Sequence, residues 1–306
     1  MEDKMYKNIS FFEFQKMFST ERKCESYFFK RRWSNGFSCP RCKHSKYYYH
    51  STRKLYQCKN CGYQVSLRAQ TIFHKSRLPL RKWFWAIYLI TQNKNGISAL
   101  QLQKQLDIGS YKTAWLMVHK IRQAMRTRDN NYSLNGLIEL DDAYFGQKNK
   151  PGKRGRGSEN KASVLAAVEV PAKGGPRFAF LKKIDNMSKQ SVLEQIKKNV
   201  KEQSTFKTDG YPTYKSLSSE GYNHDPKVIE NIQTLKEHLP WVHIILANMK
   251  NSIKSTFHGV SKKHLQRYLD EFTYRFNRRF NEKLLFDRLL FACTFNSMIT
   301  YSELTE

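Results

Sequence analysis

Two Cys-x-x-Cys pairs, Cys39-Pro-Arg-Cys42 and Cys58-Lys-Asn-Cys61, stand with fifteen residues between them. Four thiolates so arranged close a tetrahedral shell around Zn²⁺ and leave no position open for a substrate, so the zinc they imply is structural. Pro40 and Gly62 suit the tight turns that let two sulfurs reach one ion. A second group is acidic. Glu139, Asp141 and Asp142 lie in the β-prone run from Gly136 to Gly146, and Asp209 ends the run Ser204-Thr-Phe-Lys-Thr-Asp209. With Ile138 and Leu140 on one face of a strand, Glu139 and Asp141 take the other. If Asp141 and Asp209 meet, they repel and ask for a divalent cation. Mg²⁺ prefers carboxylate oxygens, and a metal pair can activate water and stabilise a leaving oxygen in phosphodiester chemistry. Cys24 and Cys293 have no partner pattern and read as buried apolar residues.

Periodicity and breakers define the elements that must position these groups. Ser10 with Glu13 is a capping-box signature ahead of Phe11, Phe12, Phe14, Met17 and Phe18, and predicts a helix or two over 9–32. Tyr47–His50, Lys54–Gln57 and Gly62–Leu67 read as the short strands of a ribbon. Residues 79–127 read as three helices: one opened by Pro79, one capped by Ser98, and one from Tyr111 to about Arg126 after the turn Asp107-Ile-Gly-Ser110. A helix, a turn with glycine and a basic second helix is the helix-turn-helix pattern. It places Lys112, Lys120, Arg122, Arg126 and Arg128 for phosphate contacts. Gly136–Gly146, Ser163–Val170 and Arg177–Ile184 read as an antiparallel meander. Ser188 caps a helix bearing Val192, Leu193, Ile196 and Val200, and Ser204–Asp209 is a fourth strand stopped by Gly210 and Pro212. Three strands, a helix, then a strand ending in Asp is the order of a ribonuclease H-like fold, in which acids on the first and fourth strands meet at the centre of the sheet.

Charge narrows the partner. The 306 residues hold 54 Lys+Arg against 26 Asp+Glu, a net +28, which argues against most small-molecule enzymes and for a polyanion. Between Glu25 and Asp107 sixteen Lys or Arg face no acidic residue at all. No apolar run approaches the ~18–20 residues that span a bilayer, and Met1-Glu-Asp-Lys begins no secretory signal. Six cysteines at this length make no disulfide scaffold. The expectation is a cytoplasmic, nucleoid-associated protein with no membrane partner. The basic loop Lys148–Gly157, with Lys153, Arg154 and Arg156, is expected to lie along DNA beside the acids.

The ribbon, the helical segment, Glu139-x-Asp141-Asp142-x-x-x-Gly146, Thr208-Asp209-Gly210-Tyr211 and the closing run Thr256–Arg279 together resemble bacterial DDE-type insertion-sequence transposases of the zinc-ribbon group. The resemblance implies a multidomain α+β chain: N-terminal helices and zinc ribbon (1–75), a helix-turn-helix DNA-binding domain (76–132) and a ribonuclease H-like catalytic domain with a mixed sheet (133–306). It also implies Mg²⁺- or Mn²⁺-dependent cutting of double-stranded DNA at the element's terminal inverted repeats, strand transfer into target DNA, and a homodimer or higher oligomer on DNA. The group's third acid, followed seven residues later by Lys or Arg, is missing, because no Asp or Glu lies between Glu237 and Asp270. Aligning back from Thr256-Phe-His258 puts His243 there, with Lys250 seven residues on and on the same helix face. Relatives in the group carry Asn as third member, which makes Asn248 the first choice; His243 stays open, and Glu271 is a weaker third. Arg275, Arg278 and Arg279 stand for phosphate contact or for a solvated basic face. The competing reading is a regulatory or decayed DNA-binding protein that keeps the ribbon and helices without chemistry.

Sixteen basic residues in a stretch of sequence without an acid should displace counterions from DNA, with log affinity falling by about 0.9 per log unit of salt for each phosphate neutralised. Affinity for duplex DNA measured across a salt series should therefore fall steeply; a flat dependence would assign the basic stretch to something else.

Overall fold

Ser10 caps the first helix as its spacing predicts. Its side chain accepts from the Glu13 amide, and the Glu13 carboxylate takes the Ser10 amide at 2.8 Å. The structure is a computed structural model, and it describes residues 9–146, 161–228, 230–296 and 299–305. The chain divides into two units, Met1–Thr127 with Phe280–Glu306, and Arg128–Arg279.

In the first unit, helices α1 (Phe11–Met17) and α2 (Glu21–Arg32) lead into the antiparallel ribbon β1 (Tyr47–His50), β2 (Leu55–Cys58) and β3 (Gln64–Ser66). Then come α3 (Leu80–Gln92), α4 (Ala99–Gln105) and α5 (Tyr111–Asp129), the three helices expected from the sequence. Ser98 caps α4 as predicted. Pro79 sits one place earlier than expected, at the cap of α3, and has no side chain with which to cap. The Glu21 carboxylate does that work from α2, taking the Leu80 amide at 2.7 Å and the Arg81 amide at 2.9 Å, with Arg68 at 3.0 Å. Negative charge at a helix N-terminus satisfies the orphan amides and opposes the macrodipole.

The expected boundaries, 1–75, 76–132 and 133–306, differ from these units in two ways. Ribbon and helices share one unit, and the chain after Arg279 returns to it as α10 (Glu282–Phe295) and α11 (Tyr301–Thr305). Aromatic packing explains the return. The ring of Phe286 on α10 lies 4.9 Å from Phe14, 5.3 Å from Phe18 and 5.7 Å from Phe84. Beside it the fully buried Asp287 pairs with Arg31 and accepts from the Tyr27 hydroxyl at 2.8 Å.

The second unit is a five-stranded sheet in the order β6-β5-β4-β7-β8. β4 (Leu137–Phe145), β5 (Ala162–Glu169) and β6 (Ala179–Ile184) form the antiparallel meander, and β7 (Thr205–Asp209) pairs parallel with β4. β8 (Asn223–Lys227), parallel to β7, adds a strand the sequence pattern does not predict. This topology is the ribonuclease H-like order. α6 (Lys189–Asn199), capped by Ser188, and a 3₁₀ helix over Pro212–Glu220 cover the face of Ile138, Leu140 and Phe206. α7 (Ile232–His238) leads to α8 (Pro240–Ser255), which with α9 (Leu265–Phe276) covers the face of Ala143, Phe145, Val164 and Leu181. Among the described residues no helix is long and apolar enough to cross a membrane.

Removing the Glu21 carboxylate leaves two helix amides without their acceptor and takes one of three from Arg68. Glu21→Ala should lower stability in urea unfolding by about 1–2 kcal/mol, with Glu21→Gln closer to the parent. Equal midpoints for the Ala variant and the parent would show that Glu21 does not hold α3.

Candidate active site and zinc centre

The four ribbon cysteines converge, with all their sulfurs within 4.8 Å of one another, Cys39 to Cys61 at 3.7 Å and Cys42 to Cys58 at 3.5 Å. Ligands about 2.3 Å from a tetrahedral Zn²⁺ stand just under 4 Å apart, so the sulfurs fit the ion. Each knuckle turns alike: Lys43 and Gly62, which follow the second cysteine of each pair, both take positive φ, 62° and 71°. Gly62 accepts this freely, whereas Lys43 does so at the cost of backbone strain.

The acids are positioned by the pairing of β4 with β7. Its register sets Ile138 beside Phe206 and Glu139 beside Lys207. Two residues beyond that last pair come Asp141 on β4 and Asp209 on β7, on adjacent parallel strands. Alternation then turns Glu139, Asp141, Lys207 and Asp209 to the α8 face and Ile138, Leu140 and Phe206 to the α6 face. Asp142 belongs to the α6 side, where the buried Tyr214 hydroxyl donates to it at 3.3 Å. Burial, then Asp142, Asp141 and Asp209, push that phenol well above its ordinary pKa, so it stays a donor. A Cβ at Gly210, just past Asp209, would lie 2.9 Å from the Val228 side chain, so a larger residue there would have to push that side chain aside. Asp209 accepts the Tyr211 amide at 3.2 Å, which steadies this turn.

α8 brings the third group. His243 Nε2 lies 3.3 Å from Asp141 Oδ2, and Lys250, two turns further, is exposed with its ammonium 5.8 Å from the centre of the Phe145 ring. Burial, and then Lys250, lower the His243 pKa against the opposing pull of Asp209, so the imidazole is held neutral. Asn248 is exposed and sits about 140° around the helix from His243. The structure thus brings His243 to Asp141 and does not bring Asn248 there. Glu271 is buried on α9, which packs on β6, and pairs with Arg275 at 2.6 Å. β6 is two strands away from β4. Among the described residues only the four cysteines gather three or more ligand atoms within 4.8 Å, so Asp141, Asp209 and His243 share a face without being drawn that tightly together. A cavity of about 560 Å³ lies at the other end of the sheet, beside Leu137, Glu169 and Ala179, and touches neither Asp141 nor Asp209.

Several expected DNA contacts are corrected. Lys120 and Arg122 are 6% and 2% exposed, in a stretch of α5 that is buried on all sides, and burial lowers the Lys120 pKa; neither is placed to meet phosphate. Lys112 and Arg126 are exposed on the same helix, with the Lys112 ammonium 3.9 Å from the Tyr301 ring centre. Arg275 pairs with Glu271, Arg278 with Asp129 at 2.6 Å, and Arg279 donates to the Phe276 carbonyl at 2.7 Å, so this basic face holds the unit together. Lys153, Arg154 and Arg156 lie outside the described residues. Sequence reasoning missed how α8 is started: Leu239 and Pro240 offer no capping side chain, and the Glu139 carboxylate takes the Trp241 amide at 2.7 Å and the Val242 amide at 2.8 Å. The missing local cap was the available signal.

Residues 133–277 match the family described as the ISXO2-like transposase domain, and residues 19–64 match the transposase zinc-ribbon domain; together they span more than half of the chain. A protein of the transposable element ISH50 from Halobacterium salinarum is 26% identical over 285 residues, covering 85% of this chain and 92% of the relative. Among solved structures, the Mos1 strand transfer complex aligns over 69% of this chain and 74% of its own at 12% identity and a TM-score of 0.31. A simian T-cell lymphotropic virus intasome aligns over 56% and 67% at 15% identity and a TM-score of 0.30. At those scores the likeness adds nothing to the strand order itself.

Freshly purified protein should contain about one zinc per chain by elemental analysis, and strong chelation should unfold the ribbon as the metal leaves. Folded, zinc-free protein would contradict the assignment.

Proposed function

The chain belongs to the ISXO2-like DNA transposases that carry an N-terminal transposase zinc ribbon, and from that premise we propose that Asp141, Asp209 and His243 form its catalytic divalent-metal site. The observation that carries this reading is that Asp141 and Asp209 each stand two residues past the paired Glu139 and Lys207 of adjacent parallel strands, with His243 Nε2 3.3 Å from Asp141. Two carboxylates side by side repel, and a cation relieves them. A neutral imidazole adds a nitrogen donor, which favours Mn²⁺ over Mg²⁺ as the better-tolerated ion. When bound, a divalent cation supplies Lewis-acid charge at the phosphodiester oxygens and activates the attacking oxygen.

The chain's own residues do the rest. Asp141 and Asp209 hold the cation, and His243 turns its ring nitrogen to the same side. Lys250, on the same face of α8, meets a phosphate of the DNA end as a point charge. The ribbon and the exposed basic residues, Lys112 and Arg126 among them, bind the double-stranded DNA of the element's ends. The reaction is cleavage at those ends by water, followed by attack of the freed 3′-hydroxyl on target DNA, in a homodimer or larger assembly.

Asp141→Ala and Asp209→Ala should abolish 3′-end nicking of DNA that carries the element's ends while end binding persists. His243→Ala should be as inactive, and Asn248→Ala should keep activity. Full cleavage by the Asp141→Ala protein would refute the site.

A further inference from the structure

Glu139 and Asp141 lie two residues apart on the same face of β4, both buried, and from type and place alone Glu139 looks like a third acid for the metal site. Its contacts say otherwise. One oxygen, Oε2, accepts both the Trp241 and the Val242 amides, at 2.7 and 2.8 Å. These are the second and third positions of α8, whose first residue is Pro240 and whose cap residue, Leu239, makes no side-chain bond. Both amides would otherwise be buried orphans. A second tie lies beside it: the buried His238 ring donates from Nε2 to the Thr208 carbonyl of β7 at 3.1 Å. The two ties fasten the entrance of α8 to the two strands that carry Asp141 and Asp209. His243 is the next residue after Val242, so wherever Glu139 holds those amides, His243 is set against Asp141.

We infer that Glu139 is a positioning residue, a helix cap lent by β4 that sets His243 and Lys250 over the acid pair and binds no metal itself. The inference rests on the proposed site of Asp141, Asp209 and His243. A carboxylate is not essential to this role. An amide oxygen in the same place accepts the same two bonds, so Glu139→Gln keeps the cap, whereas Glu139→Ala removes it. A metal ligand would behave differently, because an amide is a poor substitute for a carboxylate on a hard cation.

The test combines hydrogen exchange with cleavage on the full-length protein. In Glu139→Ala the amides of the first turn of α8 should exchange at least tenfold faster, and kcat for end nicking should fall 10–100-fold, the range typical of residues that orient ligands, with DNA affinity unchanged. Glu139→Gln should restore both the slow exchange and most of the rate. Asp141→Ala should be inactive with exchange in α8 as in the parent. A Glu139→Gln protein that is inactive while its first α8 turn stays protected would overturn the inference and make Glu139 a ligand. Unchanged exchange in Glu139→Ala would overturn it as well. If Glu139→Ala does not fold, the Gln variant alone decides. An active Asp141→Ala protein would instead remove the proposed site, while the exchange data would still judge the cap.

Discussion

The second unit is organised around one constraint: β4 and β7 run parallel as neighbours, in a register that pairs Glu139 with Lys207 and so turns Asp141 and Asp209 to the same face of adjacent strands. A shift by one residue would turn one carboxylate to the opposite face. A parallel pair needs a crossover connection, and β5, β6 and α6 supply it, which is why the sheet takes its order. The pairing itself is apolar work. Ile138, Leu140 and Phe206 are fully buried on the α6 face, and their burial fixes which residues point to the other side. In the proposed site the two carboxylates of that other face repel, and a cation would relieve them.

Acids are scarce in this chain, 26 against 54 basic residues, and the buried ones are used with economy. Glu21 caps α3 and Glu139 caps α8, each from another element and each at a helix whose own cap residue has no polar side chain. Asp287 and Glu271 anchor buried or half-buried arginines. What remains on the surface is strongly basic, so fold stability and polyanion binding draw on separate sets of residues. A carboxylate at a helix start joins two distant elements with two short hydrogen bonds and tolerates burial because the amides offset its lost hydration. For Glu139 burial still raises the pKa, and the Trp241 and Val242 amides and Lys207 oppose that rise.

Much of this was legible in the sequence because it is local. Cysteine spacing fixed the ribbon, Ser10, Ser98 and Ser188 marked helix starts, and alternation in Gly136–Gly146 separated Asp141 from Leu140. What escaped was decided by tertiary packing. β8 reads Asn-His-Asp-Pro-Lys, a polar strand with no periodic signal, made a strand by pairing with β7. Lys120 and Arg122 look like any basic helix residues until the helix is turned to its neighbours. The choice between His243 and Asn248 depends on which face of α8 meets β4, and the first turn of α8 is tied to β4 through Glu139, more than a hundred residues earlier in the chain. The return of α10 to the first unit depends on ring contacts of Phe286 that no local pattern announces.

The central claim, that the two aspartates and His243 hold one divalent ion, is tested most directly by pulsed electron paramagnetic resonance of Mn²⁺ bound to the zinc-loaded protein. The expected result is a bound Mn²⁺ with nitrogen coupling from an imidazole, a coupling lost in His243→Ala and kept in Asn248→Ala. Bound Mn²⁺ with no nitrogen coupling, or binding that ignores the loss of Asp141 and Asp209, would contradict it.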